Sequence, residues 1–291
     1  VIDYHLHLWK HGSAATEPKL ADLAAYVASA ASRGVRQVAI TEHLFRFRQA
    51  DFLRGWWEGA DPLLAGEASS YWEAHQGADL DRYVEVCLKA KERGLPVLVG
   101  LEVDYYTGRM AEVDRLLRGY PLDLVVGSVH WLGAWMFDNV DSAPSMAEWA
   151  RHDPAEVWDA YIQAVGDLVA SGVADVVGHP DLVKVTGDAG PASEDQLEAL
   201  ASILAANHVV AEVSSAGWRK PVAEQYPSWR LLQLLADREV PVVLASDSHG
   251  PELAGDRNVD LVRMVRQAGY RQCATFEGRI RGASFLPEVA M

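Results

Sequence analysis

The sequence of this 291-residue chain predicts an α/β fold in which seven strand–helix units close into a TIM-barrel-like (β/α) barrel. Three observations predict it. Short Val/Leu/Ile-rich runs, of the kind buried on both faces of a parallel sheet, recur seven times. Segments of helical spacing separate them, several closed by a glycine. Residues able to bind metal or move protons stand where the apolar runs end. A barrel gathers such strand ends on one rim, whereas an open sheet spreads them along a line. The usual nucleotide-binding open sheets are further excluded by the absence of G-x-G-x-x-G and P-loop motifs.

The first unit begins with Val1-Ile-Asp-Tyr-His5-Leu-His7, a short strand. Side chains alternate along a strand, so His5 and His7 project to one side and can grip one ion together. A polar loop with His11 leads to a helix over 20–33, closed by Gly34. The strand at 35–40 ends in Thr41-Glu42-His43. Residues 44–79 form an insert without strong periodicity but rich in aromatics, among them Phe45, Trp57, Tyr71 and Trp72. It reads equally as a lid and as a satellite core. A helix over 81–93 precedes the strand 96–102, which ends in Glu102, and a helix over 110–118 precedes the strand 122–130, which ends in His130. A second long connection, 131–152, carries Trp131, Trp135 and Trp149 and is another candidate lid. A helix over 154–171 leads to the strand 174–181 with His179, and a helix over 194–206 leads to 209–215 with Glu212. The helix 229–238 leads to 240–249 with Asp247 and His249. A last helix over 260–268 and a short tail complete a single expected domain, 1–291.

The net charge of −15 argues against a surface that coats long nucleic acid, but a local cationic centre would still admit a small phosphorylated ligand. No apolar run approaches the roughly 18 residues a membrane helix needs, and no signal peptide is expected. Cys87 and Cys273, each placed in a helix, make no disulfide framework and read as reduced cysteines of a cytoplasmic protein.

Six of the ten histidines, at 5, 7, 43, 130, 179 and 249, fall at strand ends, with Glu102 and Asp247. His75, His152 and His208 lie off the pattern and read as surface or packing residues. Imidazole and carboxylate donors without thiolate suit Zn, Mn or Fe(II), and this many donors would serve two or three divalent ions rather than one. Such a centre lowers the pKa of a bound water to about 7 and polarises a phosphoryl oxygen, so hydrolysis of a phosphate ester is the expected reaction. Glu42 reads as a ligand, a proton donor to the leaving alkoxide, or the partner of a histidine. Glu212 reads as an inward polar residue hydrogen-bonded beneath the site.

H-x-H at 5 and 7, E-H at 42–43, G-L-E ending at 102, G-S-V-H ending at 130, G-H-P-D at 178–181 and S-D-S-H at 246–249 occur in order over nearly the whole chain. Together they resemble the PHP (polymerase and histidinol phosphatase) superfamily, which implies a distorted seven-stranded (β/α) barrel with a trinuclear metal site. The stretches Gly127 to Trp135, Glu212 to Lys220 and Tyr226-Pro-Ser resemble its monofunctional histidinol-phosphate phosphatase branch. The resemblance implies His5, His7, Glu102 and Asp247 around one ion and Glu102, His130 and His179 around a second. It implies His43, His249 and His11 at a third. Asp247, Glu42 and Arg219 are then expected to be catalytic, with Arg219 clamping the phosphate beside Ser128 and Trp131. The chain departs from that branch at Ser214-Ser215, where Asn-Thr is usual, at Glu42, where Asp is usual, and at Trp9-Lys10-His11, where a Cys-x-His loop is usual. L-Histidinol phosphate is the first expected substrate. A phosphodiesterase or small-nucleotide phosphatase of the same superfamily, and a metal-binding module without catalysis, are the competing readings.

Overall fold

Parallel pairing of apolar runs organises the computed structural model, which describes residues 1–288. In chain order the elements begin β1 (Ile2–Asp3), α1 (Leu20–Ser32), β2 (Gln37–Ile40), α2 (Pro62–His75), α3 (Leu80–Glu92), β3 (Val97–Asp104), α4 (Met110–Leu117) and β4 (Leu124–Ser128). A small hairpin, β5 (Trp131–Leu132) with β6 (Trp135–Met136), precedes α5 (Ala143–Trp149), α6 (Pro154–Ala170) and β7 (Val176–Val177). The chain continues through α7 (Glu194–Ala206), β8 (Val210–Ser214), α8 (Trp229–Asp237), β9 (Val242–Ala245) and α9 (Asn258–Gln267). It ends in the hairpin β10 (Gln272–Glu277) and β11 (Ile280–Phe285).

The main sheet runs β1-β2-β3-β4-β7-β8-β9, every neighbouring pair parallel. Its two edges meet: Leu6 bridges Ser248 in parallel, Tyr4 N donates to Leu244 O at 3.0 Å, and His7 N donates to Ser248 O at 2.8 Å. The seven predicted strands are therefore the seven staves of a nearly closed barrel. The helices start where their caps predict. Asp153 caps α6 ahead of Pro154, and Ser193 with Gln196 forms a capping box on α7.

Two layers of core result. The larger lies between the barrel and its helices. The smaller fills the lower barrel with Tyr4, Leu98, Leu124, Val126, Val176, Val210 and Val243. This second core corrects the expected short tail. Residues 272–285 form a β-hairpin whose Phe276 plugs the barrel base, edge-on to Tyr4 with centroids 6.1 Å apart. Cys273 accordingly lies in β10, not in a helix, while Cys87 is buried on α3 as expected.

The inserts are ordered. Residues 44–79 contain short 3-10 turns and α2, whose Trp72 is fully buried. Trp57 stacks on Trp131 of the second insert with centroids 6.1 Å apart, and Ser142 donates to Glu67. The first insert is thus both a packed aromatic layer and part of the wall above the barrel mouth. No helix among the described residues is long and apolar enough to cross a membrane.

Candidate metal centre

The period of two along a strand builds the site directly on the lower core. On β3, Leu98 faces the barrel interior, and Gly100, Glu102 and Asp104 follow on the same face. On β4, Leu124 and Val126 are followed by Ser128 and His130. On β8, Val210 is followed by Glu212; on β9, Val243 is followed by Ala245 and Asp247. Each stave is apolar at the base and polar at the C-terminal rim. Gly178 is required at this level of β7, since a Cβ there would lie 2.6 Å from Ser128 Oγ and 2.8 Å from Val126 Cγ1.

Glu102 stands at the centre, 1% exposed. Its Oε2 lies 2.7 Å from His43 Nδ1, 3.3 Å from His5 Nε2 and 3.4 Å from His7 Nε2. Its Oε1 accepts from Ser128 Oγ at 2.6 Å and lies 3.2 Å from His179 Nε2. Three outer carboxylates set the ring orientations. Glu212 Oε2 accepts from His5 Nδ1 at 2.7 Å, Asp104 Oδ1 from His130 Nδ1 at 2.5 Å, and Glu42 Oε1 from His7 Nδ1 at 3.4 Å. A carboxylate only accepts, so each Nδ1 donates outward and each Nε2 is turned toward the centre. Backbone strain marks two rim positions: His179 has φ 26° and Asp247 has φ 47°, both outside the range L residues favour.

The charges follow from burial and neighbours. Burial would raise the Glu102 carboxyl, but His43, His5 and His130 hold it well below the usual range. Burial would lower His130, but Asp104 and Glu102 outweigh it and raise it to about 10. Burial lowers His43 to about 4, with Glu102 opposing, and lowers His11 to about 3, assisted by the Lys220 charge.

These atoms fit divalent metal. His5 Nε2, His7 Nε2, His43 Nδ1, His249 Nε2, His179 Nδ1 and Glu102 Oε2 are buried without a hydrogen-bond partner among the described residues. Buried polar atoms are rarely left so, and here several surround one point. Four overlapping groups have ligand atoms within 4.8 Å of one another: His5, His7 and Asp247; His5, Glu102 and His179; His43, Glu102 and His130; His7, His43 and His249.

Two cavities with lining residues in common lie above. The inner one, about 30 Å³, is lined by the cluster residues other than His5 and His7, together with Tyr226, Asp138 and Lys220. The outer one, about 370 Å³, has Phe45, Tyr71 and Trp131 among its walls. His11, His43, His130, Asp138 and Lys220 line both.

Residues 3–216 match the PHP domain. The chain belongs to the PHP family. A PHP-type relative from Deinococcus radiodurans, named "Probable histidinol-phosphatase", is 39% identical over 185 residues, covering 64% of this chain and 69% of that protein. One of the same name from Schizosaccharomyces pombe is 26% identical over 196 residues, 60% of this chain and 61% of its own. The HisK protein of Listeria monocytogenes has the same fold, with a TM-score of 0.72 at 22% identity, over 89% of this chain and 99% of that one. So does the histidinol phosphate phosphatase of Lactococcus lactis, solved with zinc, L-histidinol and phosphate, with a TM-score of 0.65 at 19% identity over 97% and 98%.

Within this PHP barrel the residues predicted from sequence divide. His5, His7, His43, Glu102, His130, His179, Asp247 and His249 converge. His11 stacks on His249 at 3.7 Å between centroids and belongs to none of the four ligand groups. Glu42 is fully buried, with Oε1 3.2 Å from Arg46 Nε and accepting from His43 N at 2.9 Å, while Oε2 accepts from Leu8 N and Trp9 N at 2.9 and 3.3 Å. It lines neither cavity, and its partners match a role in holding His7. Ser128 is likewise engaged with Glu102, whereas Trp131 does wall the outer cavity. Arg219 lines neither cavity. It donates to Ser246 O at 2.6 Å and Asp247 O at 3.2 Å and pairs with Asp256 at 2.8 Å, so it braces the strained turn that carries Asp247. Glu212 sits beneath the site as expected.

Five contributors escape the sequence reading, among them Asp138, which lines both cavities. Asp104 was detectable, since it follows Glu102 by two residues on one strand face. Lys220 stands next to Arg219, and Tyr226 lies in the Tyr226-Pro-Ser stretch, whose pattern does not state its chemistry. His75, assigned to surface or packing, lines the outer cavity and accepts from Gly12 N at 3.1 Å. Only tertiary folding shows where it goes.

Proposed function

We propose that this protein is a metal-dependent phosphatase that hydrolyses L-histidinol phosphate to L-histidinol and phosphate. One observation carries the reading: a ring of buried imidazole and carboxylate atoms, unpartnered among the described residues, lies under a cavity that has Lys220 at its neck and aromatic walls above. Two or three divalent ions, drawn from Zn, Mn or Fe, would be held by His5, His7, His43, Glu102, His130, His179, Asp247 and His249. Bound there, they supply Lewis-acid and water-activating chemistry.

The chain does the rest. Glu102 concentrates negative charge at the middle of the imidazole ring. Glu212, Asp104 and Glu42 keep His5, His130 and His7 in one tautomer and one orientation. The Lys220 ammonium has no hydrogen-bond or ion-pair partner among the described residues and meets the phosphate from the neck. The Tyr226 hydroxyl, buried and unpartnered on the inner cavity wall, donates to a phosphoryl oxygen. Phe45, Tyr71 and Trp131 enclose the organic part and exclude water. The names of the Deinococcus and yeast relatives and the ligands of the Lactococcus structure support this choice of substrate.

Phosphate release from L-histidinol phosphate, measured with added Mn or Zn and again after chelation, tests the proposal. Metal-dependent release that chelation abolishes is expected. Release from no phosphomonoester in a broad panel sinks it, and faster release from diesters reassigns the enzyme to phosphodiester hydrolysis.

A further inference from the structure

The cavities present their chemistry in a fixed order from inside to outside. Innermost is the cluster with Lys220 and Tyr226, the place the phosphatase reading gives to the phosphate. Outermost is the aromatic chamber of Phe45, Tyr71 and Trp131. Between them, on the loop after the β5–β6 hairpin, Asp138 lines both cavities. Its carboxylate is half-buried and has no hydrogen-bond or ion-pair partner among the described residues, although His130 and Lys220 lie near enough to act on its charge. A carboxylate in a confined site is costly to leave without a partner. Lys220 does not fill that role at ion-pair distance, which leaves the carboxylate open to a cationic group of a ligand.

We infer that Asp138 is the specificity residue of this site: it binds the ammonium of a 2-aminoalkyl phosphate whose phosphate lies in the inner cavity. The inference rests on the phosphatase reading above and deepens it. The order of groups in the cavity is the order along such a substrate, with the phosphate first, the ammonium on the second carbon, and an unsaturated ring beyond it. The Asp138 carboxylate accepts N–H bonds from the ammonium. No proton transfer is required of it. A phosphate ester of the same length without the amine would seat its phosphate and ring but leave Asp138 unpaired. Sites built to hydrogen-bond one polar group reject the analogue that lacks it for this reason.

The test compares the metal-loaded wild type with D138N and D138A on two esters, L-histidinol phosphate and its deamino analogue, 3-(imidazol-4-yl)propyl phosphate. D138N keeps the shape of the side chain and removes the charge. It should lose about 10- to 100-fold in kcat/KM on the amino ester, mostly through KM, as expected for a lost charged hydrogen bond. It should change less than about 3-fold on the deamino ester, since no N–H bond is at stake there. Calorimetry supplies a readout apart from turnover: L-histidinol should bind D138N more weakly, with inorganic phosphate binding unchanged. Equal losses on both esters, or no loss on either, overturn the assignment and leave the phosphatase reading standing. Wild-type protein that releases phosphate from neither ester overturns that reading, and the assignment with it.

Discussion

Glu212 holds His5 from beneath: its Oε2 lies 2.7 Å from His5 Nδ1, and the opposite ring nitrogen then lies 3.3 Å from Glu102 Oε2. The same carboxylate accepts from His179 N at 3.3 Å, so one buried side chain positions two rim residues on different staves. Glu212→Gln should therefore lower metal affinity and activity together, by about 10- to 100-fold. Elemental analysis alongside turnover checks it. His5→Ala and His7→Ala should lose metal more completely, and full metal content with lost activity in either would contradict a ligand role.

Glu42 and Arg46 form a buried pair at 3.2 Å. Burial acts to raise the Glu42 carboxyl, but Arg46 and His7 outweigh it and bring it to about 2 from an ordinary 4.5. A carboxyl lowered by folding stabilises fully above its unfolded value and loses that contribution as pH falls toward the folded value. The contribution of Glu42 should thus be complete above about pH 4.5 and fade between there and about pH 2. Glu42→Gln should cost about 3–5 kcal/mol at neutral pH, because Arg46 stays buried and keeps only its bonds to Ser13 O and Lys10 O, without a counter-charge. Urea unfolding in the presence of chelator, at pH 7 and pH 3.5, should show a smaller difference at the lower pH. An equal difference at both would refute the pairing energetics.

Lys220 and Arg219 are adjacent in sequence and separate in role. Lys220→Met should raise KM for phosphate esters about 10- to 100-fold and weaken inhibition by inorganic phosphate, with metal content unchanged. Arg219→Met should instead loosen the Ser246–Asp247 turn and lower metal content. A variant of Arg219 with full metal content and a selectively raised KM would return the phosphate clamp to the arginine.

Phe276 tests the barrel plug. Phe276→Ala should cost about 3–5 kcal/mol by opening the lower core, read as a lower midpoint in thermal or urea unfolding. Since Phe276 lies at the opposite end of the barrel from the cluster, turnover below the transition should be unchanged. A stability loss under about 1 kcal/mol would mean the hairpin is not part of the core.

The sequence by itself determined the seven staves, their order and the convergence of the ligand candidates. Each of these follows from short-range rules. The apolar runs specify strands, the period of two specifies which residues share a face, and closing parallel strands brings their C-terminal ends to one rim. Asp104 was within reach of the same rule. Tertiary structure alone decided which polar side chains near the rim are already spent on other groups. Glu42 and Arg219 look catalytic by position, yet their charges are engaged with a neighbouring arginine and with backbone carbonyls. No pattern states the chemistry of Lys220, Asp138 and Tyr226, yet folding leaves them facing the cavities without a hydrogen-bond or ion-pair partner among the described residues. Hydrogen-bond satisfaction depends on contacts between residues far apart in the chain, such as Glu212 with His5 or Arg219 with Asp256, and no local pattern encodes those. The C-terminal hairpin differs from expectation for the same reason: Phe276 becomes core because the barrel base is open beneath Tyr4, a vacancy that exists only once the staves have closed.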